Sequence, residues 1–269
     1  MIKSVFATTK EPFNRQDLTP MSQQKHICDI IKIHAGQGGF LVVIGEPSIG
    51  KSVLREYIES WGNERDTTII ALSRTMHSYI NILKQLALSF KLDVPTKDLE
   101  TELIKVAFAH IMQRKTLYIL IDEAHLLKMD VLRKLRLLFE RFPKKHNLVL
   151  FGKPDLLHYL NLNVNQDIKS RITFSQHIKP LNDDDLERYI IKELEAVKMG
   201  INTFDGGAIE VIIRSSAGNL RLCRNLCYVS LIEACREAQK IVTITHVNQV
   251  LIQPHWRSHE QLIKQQVVS

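Results

Sequence analysis

No apolar run in these 269 residues approaches the roughly 18–20 that a membrane-crossing helix needs. The opening "MIKSVFATTKEPFNRQ" has no long apolar centre of the kind that marks a secretory signal. Membrane-embedded and exported classes are therefore set aside, and a cytoplasmic location is expected. Cysteine is scarce as well. Cys28, Cys223, Cys227 and Cys235 cannot frame a disulfide scaffold in a chain this long. Three of them recur at helical spacing in "LCRNLCYVSLIEAC" and are expected to line one buried face rather than to bind metal. The eleven histidines are scattered and suggest no metal site. Internal repeats and low-complexity tracts are also missing.

What is present is an ordinary globular composition, 45% hydrophobic and 24% charged, in a chain long enough for one large domain or two modest ones. The formal charge of +7 suits a polyanionic partner, although surface lysine often does no more than keep a protein soluble. Between 38 and 180, short β-rich runs alternate with helical patterns. The extended runs are "GFLVVIG" (39–45), "TTIIALS" (67–73), "TLYILIDE" (116–123), "NLVLFG" (147–152) and "ITFSQHIKPL" (172–181). Continuous rather than alternating apolar runs mark strands covered on both faces. "KSVLREYIESW", "SYINILKQLALSF", "DLETELIKVAFAHIMQ" and "DVLRKLRLLFERF" read as the intervening helices, giving an α/β sandwich on a five-stranded parallel sheet. After 181 the texture turns helical, with "IVTIT" the one extended piece. The expected division is an N-terminal linker and first helix (1–36), an α/β domain (37–181), a small helical domain (182–253) and a polar tail (254–269).

"GEPSIGKS" (45–52) follows a strand and opens an amphipathic helix. In the pattern G-x-x-x-x-G-K-[ST], glycines let successive backbone N–H groups turn toward phosphate oxygens, and the helix start adds its positive end. Gly45, Glu46, Pro47, Ser48, Ile49, Gly50, Lys51, Ser52 and Val53 are the candidate cradle for ATP. Lys51 would reach the β and γ phosphates, and the Ser52 hydroxyl would coordinate Mg²⁺. "LYILIDEAH" (117–125) supplies two carboxylates where a buried strand ends, at the sheet edge that binds ligands in open α/β folds. Asp122 is the candidate metal ligand and Glu123 the candidate general base, which favours hydrolysis over binding alone. The plainer readings are a glycine turn and a solvated acidic turn.

The strand–loop–helix, the "ILIDEAH" run and the helical C-terminal part together resemble an AAA+ ATPase. "FATTKEPFNRQDLTPMSQQ", "GGFLVVIGEPSIGKS", "IDEAHLL" and "LFGKPDLLHYL" resemble its ExeA/GspA-like branch, which includes the TniB- and TnsC-like ATPases of transposons. The resemblance implies a site completed across a subunit interface. Arg171, just before the last strand, would be the arginine finger acting on a neighbouring subunit, or else a surface arginine at a helix end. Arg221, in "GNLR", would be the nucleotide sensor of the helical lid, with Arg224 as the alternative. The first sensor is normally a small polar residue ending the fourth strand. Here "LFGKPDL" leaves Gly152 or Lys153, which implies slow or partner-stimulated hydrolysis. "EPFNR" (11–15) would lie beside the adenine unless Phe13 is a core residue.

By the same resemblance, the favoured function is an ATP-dependent homo-oligomer, ring or helical filament, on double-stranded DNA. It would present target DNA to a transposase, with or without a target-selection adaptor. The segment after the second strand would face DNA through Arg74, Lys84, Lys91 and Lys97, in contacts independent of base sequence. A second basic run, "KMDVLRKLRLLFERFPKK" (128–145), presents Leu132, Leu135, Leu138 and Phe139 on one face as core. Its charged face would meet a neighbouring subunit, nucleic acid or solvent. The alternatives are a secretion-assembly ATPase and a helicase-loader-type ATPase. Secretion members carry a transmembrane helix and a wall-binding domain after the lid. This chain, ending at Ser269, is expected to have neither.

Overall fold

The computed structural model describes residues 2–13, 20–72, 78–253 and 256. In chain order the first elements are α1 (Ile2–Val5), α2 (Ser22–Ala35), β1 (Gly39–Gly45), α3 (Lys51–Ser60), β2 (Thr67–Leu72), α4 (Tyr79–Ser89) and α5 (Leu99–Met112). There follow β3 (Thr116–Ile121), α6 (Met129–Glu140), β4 (His146–Gly152), α7 (Pro154–Asn161), α8 (Gln166–Lys169) and β5 (Ile172–Ile178). The chain continues through α9 (Asp183–Ala196), α10 (Gly206–Ser216), α11 (Leu220–Arg236) and α12 (Ile244–Leu251). Two compact units result. One comprises Leu18–Pro47 and Lys51–Lys179. The other comprises Met1–Asp17, Ser48–Gly50 and Pro180–Ser269.

The first unit is built on a parallel sheet in the order β2-β3-β4-β1-β5. β1, β3 and β4 are buried along almost their whole length, as strands covered by helices on both faces must be. Among the described residues β5 pairs with β1 alone, and its residues alternate between half-buried and exposed, as suits an edge. It ends at Ile178, short of the run to 181, because Pro180 has no N–H for a ladder. On α6, Leu132, Leu135, Leu138 and Phe139 are buried, so the apolar stripe read from their spacing is the face that joins the core. The short helices α7 and α8 lie between the fourth and fifth strands, α7 burying Leu156 and Leu160 on one face.

The second unit is helical. Leu186, Ile190 and Leu194 on α9 recur every fourth residue and pack with Phe204, Ile212, Leu226 and Leu231 in one core. Cys223, Cys227 and Cys235 belong to that core, on the single buried face their spacing indicated. Asn182, Asp205 and Asn219 cap α9, α10 and α11 by accepting backbone N–H groups from the first turns. Gly218, φ +76°, follows Ala217, also left-handed, and closes α10. A Cβ at Gly218 would lie 2.5 Å from Pro180 Cβ and 2.7 Å from Leu181 O, so only glycine fits there. "IVTIT" departs from its expected strand. Val242 makes one isolated parallel bridge to Phe204, and Thr243 already caps α12. Phe13 lies edge-on to Phe204 at 6.2 Å, buried in this core.

Candidate nucleotide site

β4 lies between β1 and β3, and the register pairs Ile44 with Gly152 and Ile121 with Leu150. Parallel alignment therefore brings the ends of three neighbouring strands to one edge of the sheet. The loop after β1, the acidic pair after β3, and Gly152 with Lys153 after β4 all emerge there. The loop crests at the exposed Glu46 and Pro47, turns in at the buried Ile49, and continues into α3 with Ser52 and Val53 half-buried. Ser48 has φ 68° and Gly50 φ 109°. The first is a strained angle for an L-residue, and the second is one that essentially requires glycine.

Lys51 is buried, and its ammonium donates to Gly45 O (2.5 Å) and Glu46 O (2.8 Å). Burial pulls its pKa below the ordinary lysine value. Glu123, Asp122 and Glu46 oppose that shift, while Lys153 adds to it. A phosphate between these cations would relieve the charge crowding as well as form hydrogen bonds.

The two carboxylates occupy unlike environments. The Asp122 side chain is 2% exposed and its Oδ1 accepts the Glu123 N–H at 2.9 Å. Glu123 is left-handed (φ 52°), which turns its side chain out of the strand direction to 33% exposure. Its Oε2 lies 3.5 Å from His125 Nε2, and burial lowers the His125 pKa from its usual value. A buried, fixed carboxylate beside a partly solvated, turned one divides the labour of metal binding and proton transfer. His125 and Arg55 are additions to the site. His125 stood inside the quoted "IDEAHLL", and Arg55 is three residues beyond Ser52 on α3. Arg55 Nε lies 3.7 Å from Asp122 Oδ2.

Gly152 has no room for the polar side chain that would be a first sensor. A Cβ there would meet Leu156 Cδ2 at 2.8 Å and the His125 N at 3.4 Å. Lys153, at the N-cap of α7, is half-buried, and its charge acts on both Lys51 and His125. Arg171 lies at the opposite edge of the sheet. Ile172 pairs with Phe40, so the length of β1 up to Gly45, roughly 17 Å at strand rise, separates Arg171 from its own phosphate loop. Its Nε is 2.9 Å from Glu140 Oε1, and its side chain is 59% exposed. Arg221 opens α11 in the helical unit, with its N–H on the capping Asn219 Oδ1.

Lys84, Lys91 and Lys97 are exposed, whereas Arg74, Arg15 and the tail 257–269 lie outside the described residues. Much of the charge in the second basic run is taken up within the chain. Arg133 pairs with Asp167 (3.5 Å) and bonds Asn165 Oδ1 (2.6 Å), Arg136 pairs with Glu140 (3.0 Å), and Arg141 with Glu100 (3.5 Å).

Residues 33–160 match a family described as an AAA domain. Over 212 residues the chain is 30% identical to general secretion pathway protein A of Aeromonas hydrophila, covering 76% of this chain and 39% of that protein. Among solved structures, the Aeropyrum pernix ORC2 protein in ADPNP-ADP complexes superposes with a TM-score of 0.69 at 14% identity, over 90% of this chain and 72% of that one. The Aeropyrum pernix ORC1 protein in complex with DNA gives 0.66 at 14%, over 88% and 67%. The fold is that of the AAA+ P-loop ATPases. AAA+ domains form a nucleotide-hydrolysing family, and the matched stretch includes the loop at residues 45–52. The chain spans well under half the length of its curated relative.

The residues also fit a magnesium ion. Among the described residues no cluster of three or more His, Cys, Asp or Glu could enclose a metal. Magnesium bound with a nucleotide needs only one or two protein oxygens besides the phosphates. Ser52 and Asp122 offer a hydroxyl and a carboxylate, both hard oxygen donors, at the loop's helix and the adjoining sheet edge.

Proposed function

We propose that the chain is a Mg²⁺-dependent ATPase that assembles as a homo-oligomer on double-stranded DNA and presents that DNA to a transposase. The hydrolytic part rests on one observation, the convergence of Lys51, Asp122 and Glu123 on a single sheet edge. Lys51 and the loop N–H groups hold the triphosphate, while Ser52 and Asp122 hold the metal. When bound, Mg²⁺ neutralises charge on the β and γ phosphates. Glu123 accepts a proton from the attacking water. Lys153 serves as first sensor in place of Gly152, and Arg221 reports the nucleotide to the helical unit.

Arg171 stands too far from its own loop to act in cis, so it completes the site of a neighbouring subunit. Arg171→Ala is expected to lose most hydrolysis alone. Mixed with Lys51→Ala it should regain some, because the two lesions lie on opposite sides of each shared site. A steady-state ATPase assay across mixing ratios checks this, and no recovery at any ratio argues against a shared site.

The net charge of +7 and the exposed Lys84, Lys91 and Lys97 support a DNA partner, as does the ORC1 neighbour solved with DNA. A gel shift on duplex DNA with ATP, ADP or a non-hydrolysable analogue tests it. Retention is expected with ATP or the analogue. If these lysines and Arg74 each meet a phosphate, affinity should fall about a hundredfold between 50 and 200 mM salt. The match to general secretion pathway protein A supports a second reading, a cytoplasmic ATPase that assists secretion-complex assembly. No retention in any nucleotide state would favour it, or a loader role on another protein.

A further inference from the structure

Arg55 places a largely buried cation beside the candidate metal ligand Asp122. Arg55 lies three residues beyond Ser52 and four beyond Lys51 on α3, so it shares their helix face one turn further from the loop. Its Nε is buried, makes no hydrogen bond among the described residues, and faces Asp122 Oδ2 at 3.7 Å. The other edge of the guanidinium is fixed from its own helix, with Nη1 3.2 Å from Glu59 Oε1 and Nη2 4.0 Å from Glu56 Oε1. The arginine side chain is only 17% exposed. The second carboxylate oxygen of Asp122, Oδ1, accepts the Glu123 N–H. Asp122 is thus constrained on one side by its own chain and on the other by Arg55.

We infer that Arg55 is a positioning residue for the metal-binding carboxylate, setting the orientation in which Asp122 receives Mg²⁺. The inference rests on the nucleotide-site reading above. Without the guanidinium, the buried Asp122 carboxylate would face the 35% exposed Glu59 with the arginine charge between them removed. Mutual repulsion would then turn the carboxylate from the position that Oδ1 and Arg55 now define. Arg55 is directed at Asp122 and the two glutamates, whereas the Lys51 ammonium donates to the loop carbonyls. Its removal should therefore weaken the metal's contribution and spare the nucleotide's own.

The test uses the full chain as wild type, Arg55→Met and Arg55→Lys. A fluorescent non-hydrolysable ATP analogue is titrated in EDTA and then over a Mg²⁺ series. Arg55→Met is expected to bind the analogue in EDTA like wild type, with the Mg²⁺ midpoint raised about tenfold or more, as for other groups that orient metal ligands. Arg55→Lys keeps the charge without the planar fork and should shift the midpoint less. It also carries the test if the methionine variant fails to fold. A midpoint unchanged or lowered in the variants overturns the inference. So does an equal loss of affinity with and without Mg²⁺, the mark of a merely structural ion pair. If wild type itself does not bind the analogue, the nucleotide-site reading falls and takes this inference with it.

Discussion

Lys51→Ala is expected to weaken ATP binding by about two orders of magnitude or more while leaving the chain folded. A charge-assisted hydrogen bond contributes about 1.5–3 kcal/mol, and each 1.4 kcal/mol is a factor of ten. The Lys51 ammonium can make more than one such bond to a triphosphate, and alanine can make none. The effect is larger because this ammonium is buried, with a pKa lowered chiefly by desolvation and sustained by Glu123, Asp122 and Glu46. It is a cation whose solvation shell is already replaced by loop carbonyls, so little reorganisation is needed when phosphate arrives. Calorimetric titration of ATP, with circular dichroism to confirm the fold, measures the change. Binding within threefold of wild type would remove Lys51 from the site.

Glu123→Gln should separate binding from turnover. Glutamine is nearly the same shape, so the left-handed backbone at 123 and the N–H donated to Asp122 Oδ1 need not change. Glutamine cannot take a proton from water, and a positioned general base contributes about 10²–10⁴-fold. The variant should therefore bind ATP like wild type, hydrolyse it at least a hundredfold more slowly, and hold any ATP-dependent oligomer together. Single-turnover phosphate release and size-exclusion chromatography with ATP read the two halves. Hydrolysis at the wild-type rate would transfer the base role elsewhere, with His125, 3.5 Å from Glu123, next to examine.

Much of this was legible in the chain because a buried parallel strand has a local signature. "FLVVI" and "LYILI" are continuous apolar runs, and each delivers its candidate site residues at the point where the run stops. The loop glycines and Lys51 are likewise fixed by local backbone chemistry. What stayed hidden depends on distance in sequence. The Arg55–Asp122 pair joins residues 67 apart, and nothing in either neighbourhood marks it. The intrachain ion pairs of Arg133, Arg136 and Arg141 depend on Asp167, Glu140 and Glu100, so the run 128–145 looked more available to an outside partner than it is. The packing of Leu156 into the space beside Gly152 was equally closed to sequence. "IVTIT" shows the opposite error. Its β-branched residues favour a strand, but among the described residues only Phe204 offers it a bridge.

The most direct test is the structure of the chain with Mg²⁺ and a non-hydrolysable ATP analogue. The triphosphate should lie within the backbone of residues 45–52, with Lys51 on its outer phosphates and the metal between Ser52 and Asp122. A triphosphate bound elsewhere, or a metal held by other side chains, would contradict the account.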